Sequence, residues 1–328
     1  MQPSDKIFIA GHRGLVGSAL VRQLRSLGFE NLLLRSRQEL DLEDIAAVRA
    51  FFEKERPRHV FFAAAKVGGI LANSSYPADF IHDNLLIQLS VIGAAQATNV
   101  EKMLFLGSSC IYPKLAEQPI REESLLTGEL EPTNEAYAIA KIAGIIMCRS
   151  FNRQYGTRFI SAMPTNLYGE GDNFERAGSH VLPALMRRFH DAKLANQDEI
   201  VVWGSGSPRR EFLHVDDMAD ASIHLMRVWA ETADDGSVVG GQNALNEIVN
   251  IGYGEDVSIR DLAELVAELV GYRGTLRFDT SMPDGTPRKL LDSTRLRATG
   301  WRPRISLRDG IARTYEWFLA HPAVARLG

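Results

Sequence analysis

Up to Pro164 the chain switches repeatedly between short, continuously apolar runs and longer stretches with helical spacing, and this alternation restricts the fold more than any other feature. Residues 6–10, 32–34, 59–65, 103–107 and 159–163 read as strands. Between them, 15–27, 41–54, 77–98 and 135–155 read as helices, the second with acidic residues in its first turn. Strands that are apolar at every position are buried on both faces, and strand–helix repeats join parallel strands by right-handed crossovers. The expected fold is therefore α/β, a doubly wound parallel sheet of Rossmann type with a smaller C-terminal α/β substrate domain. After Pro164, loops rich in Gly, Asp and Pro (169–178, 204–209 and 283–287) alternate with helices near 181–193 and 258–269. Doubly wound sheets bind ligands at the carboxyl ends of their strands, so these segments should fold over those ends and close a cleft. The expected division is a cofactor domain over 1–167 with a return segment over 212–251, and a substrate domain over 168–211 and 252–328.

The charge balance excludes several partners. With 37 basic and 41 acidic side chains, a net charge of -4, the chain offers no general field for nucleic acid or an anionic membrane. No apolar stretch approaches the length of a membrane span, and the first residues run into a strand too early for a signal peptide. A soluble, cytoplasmic protein is expected. Cys110 and Cys148 make no disulfide framework, and no Cys/His spacing suggests a metal.

The first strand ends in Gly11-His12-Arg13-Gly14-Leu15-Val16-Gly17, a G-x-x-G-x-x-G spacing. Glycines there permit a tight turn and close approach of backbone to a pyrophosphate, which then sits on the amides of the following helix. An ordinary turn is the alternative; the position between a strand and a helix favours the dinucleotide loop. An NAD site places Asp or Glu about 20 residues past the glycines, on the ribose hydroxyls. This chain has Arg35-Ser36-Arg37 at the end of strand two, with Arg13 in the loop and no carboxylate at that point. Three arginines converging there suit a 2′-phosphate, so the expected cofactor is NADP(H).

A second constellation follows strand four. Ser108 lies at the strand tip, and Tyr137 and Lys141, four residues apart on the next long helix, share one face. An ammonium beside a phenol lowers its pKa, and a serine hydroxyl can hold the same substrate oxygen, so the three can protonate a carbonyl as hydride arrives. Tyr-x-x-x-Lys alone is usually a solvated helix face; the serine and the glycine loop favour catalysis. If strand geometry persists past Ser108, Cys110 points the same way as Ser108 and Ser109 the other way. A lone cysteine at a strand end is more often an inert small hydrophobe, and Cys148 keeps that reading.

Residues 11–17, 64–70, 107–114, 131–134, 137–144, 164–169 and 283–290 together resemble the GDP-L-fucose synthase family of extended short-chain dehydrogenase/reductases. The resemblance runs over roughly residues 6–320 and implies 3,5-epimerisation and 4-reduction of GDP-4-keto-6-deoxy-D-mannose by a homodimer joined through helices near 77–98 and 135–155. It implies a reductive triad of Ser108, Tyr137 and Lys141, and a proton-moving pair, Cys110 and His180. Cofactor contacts are implied for Gly11, His12, Arg13, Gly14, Leu15, Val16, Gly17, Arg37, Leu106, Gly107, Ser108, Ser109, Lys141, Pro164, Thr165, Asn166, Leu167 and His180. Arg188, Trp203, Arg210 and Asp284 are implied at the GDP end, where guanidinium groups suit phosphates and an indole can pack on a base or ribose. The chain departs from the family at Glu170-Gly171, where proline is common, and at 175–178, before Ser179-His180.

The chemistry is coherent. A C4 ketone acidifies C–H at both C3 and C5, and donors aimed at its oxygen stabilise the enolate. Inversion needs a base on one ring face and an acid on the other, roles suited to Cys110, with a positive charge such as Lys141 favouring its thiolate, and His180. Taken alone, His180 and Ser179 read as a cap or core pair. His214-Val215-Asp216-Asp217 reads as a chain-positioning segment with Asp216 and Asp217 as helix caps. The alternatives are a GDP-colitose-type enzyme inverting C5 only, an NAD-dependent 4-epimerase, disfavoured by Arg35 and Arg37, and a non-catalytic NADP(H)-sensing module.

Overall fold

The structure, a computed structural model, describes residues 1–175, 179–228, 248–282 and 284–321, the side chains of Ile70 and Leu71 excepted. The divergent stretch 176–178, Pro283, residues 229–247 of the expected return segment and 322–328 lie outside the described residues. In chain order the first half runs β1 (Ile7–Ala10), α1 (Leu15–Ser26), β2 (Leu32–Leu33), α2 (Ile45–Glu55), β3 (His59–Phe62), α3 (Ile70–Ser75), α4 (Pro77–Ala97), β4 (Lys102–Leu106), α5 (Glu135–Tyr155) and β5 (Phe159–Pro164). The second half runs β6 (Asn166–Tyr168), α6 (Val181–Leu194), β7 (Glu199–Trp203), β8 (Arg209–His214), α7 (Val215–Val228), β9 (Ile248–Ile251), β10 (Asp256–Ser258), α8 (Ile259–Val270), β11 (Thr275–Asp279), β12 (Arg288–Lys289), α9 (Thr294–Ala298) and α10 (Leu307–Ala320).

Period-two sorting builds the first sheet. Ile7 and Ile9 of β1 point to one core, Phe8 and Ala10 to the other, and all four are buried. The sheet has the order β2-β1-β3-β4-β5-β9, and every pairing in it is parallel. Residues of α2, α4 and α5 (Phe52, Val91, Ile145) fill one face, and those of α1 and α7 (Leu20, Leu24, Met218, Leu225) the other. Among the described residues no helix is long and apolar enough to cross a membrane. The acidic residues expected in the first turn of α2 instead precede it. Asp44 caps the helix, its carboxylate accepting from Ala47 N at 2.9 Å, and Asp41 accepts from Glu43 N at 3.0 Å. Short acidic side chains compete for free backbone N–H groups, which places them in caps and turns.

The second half shows little of this alternation, because its strands are short and lie in smaller sheets. β8 pairs with β6 and β12 in parallel and with β10 antiparallel; β7 and β11 form a separate parallel pair. A third core joins α6, α8 and α10 to β7 and β8 through Leu185, Phe189, Val202, Phe212, Val266 and Phe318. β8 spans position 212, where the return segment was expected to begin; the return to the first sheet is made by α7, packed on α1, and by β9.

A partly buried ionic knot centred on His214 ties these parts together. His214 at the end of β8 lies with Nε2 3.3 Å from Glu170 Oε2 and holds that carboxyl down to about 2, with burial opposing. Asp216 and Asp217 are not caps, since both lie within the first turn of α7 and face other segments. Asp216 pairs with Arg22 of α1 at 2.8 Å and Arg313 of α10 at 2.9 Å, while Asp217 accepts from the backbone N–H groups of Arg304 and Ile305. Glu170, His214 and Asp216 offer donor atoms within 4.8 Å of one another, but the two guanidinium groups already neutralise the acids. Glu170 thus anchors the start of the loop that leads to His180.

Candidate active site

Strand order reverses across β1, with β2 on one side and β3 on the other, so a crevice opens at the carboxyl ends of β1 and β3. Gly11 turns the chain there with φ +83°, and a Cβ on it would lie 2.8 Å from the Ala64 backbone. A Cβ on Gly17 would lie 2.1 Å from the Gly11 carbonyl oxygen. Side chains are therefore excluded at both points, and α1 closes directly onto the loop. Gly14 precedes α1 with no side-chain cap and no acid in the first turn, which leaves the first amides of the helix for an anion.

The arginines beside this loop are arranged differently from the expectation. Arg35 pairs with Glu55 at 3.4 Å and lies over the Phe51 ring, and Arg37 turns away to Glu43 at 2.8 Å. Glu39 folds back so that one carboxylate oxygen accepts from both Ser36 N and Ser36 Oγ at 2.7 Å. Those two bonds lower its pKa, with smaller help from Arg35 and Arg13. The cluster at the end of β2 is thus Arg13 and Arg35 around a carboxylate, rather than three converging arginines. Exposed pairs of this kind are worth about 0–1 kcal/mol, so an incoming phosphate can take over their cations. His12, its pKa lowered by burial, hydrogen-bonds the Arg35 backbone and joins the glycine loop to β2.

At the end of β4 the strand does not continue through Cys110. Residues Ser109–Ile111 form a 3-10 turn, and Ser108 is its N-cap, Oγ accepting from Cys110 N at 3.2 Å. A turn therefore sets the direction of the sulfur, not strand alternation. Ser108 also hydrogen-bonds Tyr137. Lys141 is buried; its Nζ donates to the Leu106 carbonyl at 2.7 Å and lies 5.8 Å from the Tyr137 ring centroid.

Burial outweighs the expected charge effect in this pair. Desolvation brings Lys141 down to about 7 and raises Tyr137 well above its ordinary value; the Cys110 charge adds to the rise, and the Ser108 hydrogen bond opposes it. Tyr137 is thereby held as a protonated phenol, ready to donate. Lys141 is turned to the Leu106 carbonyl, and a second cation stands directly against Cys110. Lys289 of β12 brings Nζ to 3.7 Å from Cys110 Sγ. From this segment the sequence pointed only to Asp284, at the GDP end, and not to this lysine, whose one signal is a basic residue just ahead of Leu290-Leu291.

His180 stands at the N-terminus of α6 in extended conformation, exposed, and its imidazole makes no hydrogen bond among the described residues. Surrounding protein still lowers its pKa by desolvation. Asn166 and Thr165, expected beside the cofactor, donate to the Glu211 carbonyl oxygen at 2.8 and 3.1 Å. The buried Glu211 carboxyl accepts in turn from Gly254 N and Leu291 N.

At the far end of the cleft the expected nucleotide residues lie along β7 and β8. Arg188 donates to Val201 O at 2.5 Å, beside Trp203, which is 68% exposed. Asp284 accepts from Ser205 N at 2.9 Å and Ser205 Oγ at 2.7 Å, so it orders the turn after Trp203. A Cβ on Gly285 would lie 3.1 Å from Arg210 Nη2, which places this loop against Arg210. Burial lowers the pKa of both Arg188 and Arg210. Arg187 points the other way, buried on Asp191 at 3.0 Å. A wide, open depression lined by Arg188, Leu194 and Val201 lies next to Arg188, and neither Ser108 nor Tyr137 lines it.

The NAD dependent epimerase/dehydratase family matches residues 7–252. A putative GDP-L-fucose synthase 2 of Arabidopsis thaliana is 60% identical, over 97% of this chain and 93% of that protein. The GDP-L-fucose synthase of Escherichia coli K12 is 58% identical, over 96% and 97%. The GDP-L-colitose synthase of Yersinia pseudotuberculosis is 34% identical, over 96% and 98%. Among solved structures, a GDP-L-fucose synthetase from Naegleria fowleri bound to NADP superposes with a TM-score of 0.87 at 28% identity, covering 99% of this chain and 97% of that one. The chain belongs to the NAD dependent epimerase/dehydratase family and, within it, to the GDP-L-fucose synthase group.

The Lys141 shift has a sign that can be tested. Between about 7 and the ordinary lysine value of 10.5 the unfolded chain holds a proton that the folded chain does not, so stability rises with pH over that window. Lys141→Met removes that rise. Urea unfolding without ligand should show the variant gaining on the wild type by about 3 kcal/mol more at pH 6 than at pH 9. Equal gains at both values would mean that Lys141 stays charged in the fold.

Proposed function

We propose that this chain converts GDP-4-keto-6-deoxy-D-mannose to GDP-L-fucose, inverting C3 and C5 and then reducing C4 with NADPH. The observation that carries the reading is the grouping of Ser108, Tyr137 and Lys141 with Cys110 and Lys289 at one strand end. Relatives of 58–60% identity that bear the name GDP-L-fucose synthase support it over the colitose type, whose example is 34% identical. The glycine cradle, the uncapped α1 and the Arg13–Arg35 cluster fit a dinucleotide with a 2′-phosphate. Residues 1–167 with 212–251 serve as the NADP-binding domain, and 168–211 with 252–328 as the GDP-sugar-binding domain.

When bound, NADPH supplies the hydride that reaches C4. The side chains handle everything else. Ser108 and Tyr137 donate to O4, which spreads charge onto oxygen as a proton leaves C3 or C5. Cys110, as thiolate with the Lys289 ammonium as its neighbour, takes that proton, and His180 as imidazolium returns one to the opposite face of the ring. Each inversion thus removes and replaces one proton at carbon. In the last step Tyr137 gives its proton to O4 as C4 accepts the hydride, and Lys141, in its ammonium form, stabilises the phenolate left behind. Reduction removes the ketone and so locks the new configuration. Arg188, Trp203 and Arg210 hold the GDP end, with Asp284 ordering the loop beside them. A working thiol fits a reducing, cytoplasmic compartment.

The chain also acts as a homodimer through α4 and α5, on which Leu89, Ile139 and Ile146 are exposed at 50%, 40% and 36%. Sedimentation at micromolar concentration should give twice the chain mass of 36.4 kDa; a monomer would contradict this.

The function is tested with GDP-4-keto-6-deoxy-D-mannose and NADPH in deuterated water. One NADPH should be oxidised per product, and the product should carry the fucose configuration with deuterium at both C3 and C5. Label at one carbon only would favour the colitose type, and turnover without NADPH loss would favour a 4-epimerase. Cys110→Ser should keep part of the NADPH oxidation while yielding misconfigured sugar.

A further inference from the structure

One buried amide joins the two chain segments that meet at the Cys110 sulfur. Asn250 of β9 is fully buried, and its side chain makes three hydrogen bonds. Oδ1 accepts from Tyr112 Oη at 2.6 Å, and Nδ2 donates to the carbonyls of Ile120 at 2.9 Å and Asp292 at 3.1 Å. Its backbone N–H donates to the buried Glu122 carboxyl at 2.9 Å.

Each partner leads back to the sulfur. Tyr112 closes the 3-10 turn that carries Cys110 and is itself buried, so its hydroxyl has no solvent to turn to. Ile120 and Asp292 belong to a small bridge in which Ile120 N donates to Leu290 O and Asp292 N to Ile120 O, both at 2.8 Å. Leu290 follows Lys289, whose amine lies 3.7 Å from Cys110 Sγ. Cys110, Tyr112, Asn250, Ile120 and Leu290 to Lys289 therefore make a closed ring of contacts. Tyr137 and Lys141 are held from α5 and the Leu106 carbonyl, outside this ring; the turn meets Ser108 through Cys110 N on Ser108 Oγ at 3.2 Å and Ile111 N on the Ser108 carbonyl at 3.3 Å.

We infer that Asn250 and Tyr112 are positioning residues for the Cys110–Lys289 contact, so that they govern proton transfer at C3 and C5 and leave hydride transfer at C4 largely alone. The inference rests on the function proposed above. A buried amide with both N–H donors and its carbonyl oxygen engaged on different segments fixes those segments relative to one another, and losing one bond leaves its partners unsatisfied.

Two full-length variants test it. Tyr112→Phe removes one bond and keeps the ring; Asn250→Ser removes the acceptor and both amide donors. Proton transfer is read as deuterium entering GDP-4-keto-6-deoxy-D-mannose without NADPH. Hydride transfer is read separately as the first turnover of NADP reduction by GDP-L-fucose, which needs no inversion. Exchange should fall about tenfold in Tyr112→Phe and further in Asn250→Ser, while the hydride step falls less than about twofold, because sub-ångström displacement of a reacting group is enough for such losses. Equal falls in both readouts, or unchanged exchange in a folded variant, would overturn the inference. If Asn250→Ser does not fold, Tyr112→Phe decides by the same criteria. A wild-type enzyme that takes up no deuterium would instead overturn the functional reading, and the inference with it.

Discussion

The 2.7 Å hydrogen bond from Lys141 Nζ to the Leu106 carbonyl fixes helix α5 to the tip of β4 inside the protein. A buried amine needs an acceptor, and the last carbonyl of a strand that has run out of ladder partners needs a donor. Once that bond is made, Tyr137 one turn back lies against Ser108. Burial then does the electrostatic work by moving lysine and tyrosine in opposite directions, the amine towards neutral and the phenol away from ionisation. A site meant to deliver a proton to a carbonyl starts with the phenol in its protonated state.

The two halves of the proposed chemistry have different structural origins. Groups for hydride transfer come from the first sheet and its helices, where parallel strands buried on both faces leave little freedom. Groups for proton transfer are assembled across long sequence separations. Cys110 follows β4, Lys289 comes from β12 beside β8, and His180 comes at the end of a loop anchored by Glu170 on His214. Sulfur and amine are 179 residues apart in the chain and meet because β9, in the first sheet, hydrogen-bonds to segments from both halves. Reduction can thus vary separately from inversion, whereas Lys289 pairs in register with Arg210 of the nucleotide end and ties inversion to binding.

Much of the first half was legible in the sequence. Continuous apolar runs such as 60–62 fit a sheet covered on both faces, Gly11 and Gly17 stand where a Cβ would strike backbone, and Tyr137 and Lys141 share a face by helical geometry alone. Other features had no local signal. After β4 a turn capped by Ser108, not continued strand alternation, sets the direction of the sulfur, a choice the Ser-Ser-Cys string leaves open. Desolvation of Lys141 depends on Phe105 and Leu106 beneath it, which a helix-face argument does not contain. The short strands β6, β10 and β12 alternate too briefly to announce themselves, so Lys289 and its partner stayed hidden. Glu39, only two residues beyond Arg37, folds back on Ser36 and rearranges the arginine cluster.

What unifies the reading is that Ser108 and Tyr137 act on one carbonyl oxygen both while neighbouring protons move and while hydride arrives. Comparing Tyr137→Phe with wild type for deuterium wash-in without NADPH and for single-turnover hydride transfer examines that point. Both rates should fall together, each by about tenfold or more, as loss of a donor to a developing oxyanion requires. Wild-type wash-in beside abolished hydride transfer would mean that the enolate is stabilised elsewhere, and the shared role of the phenol would have to be given up.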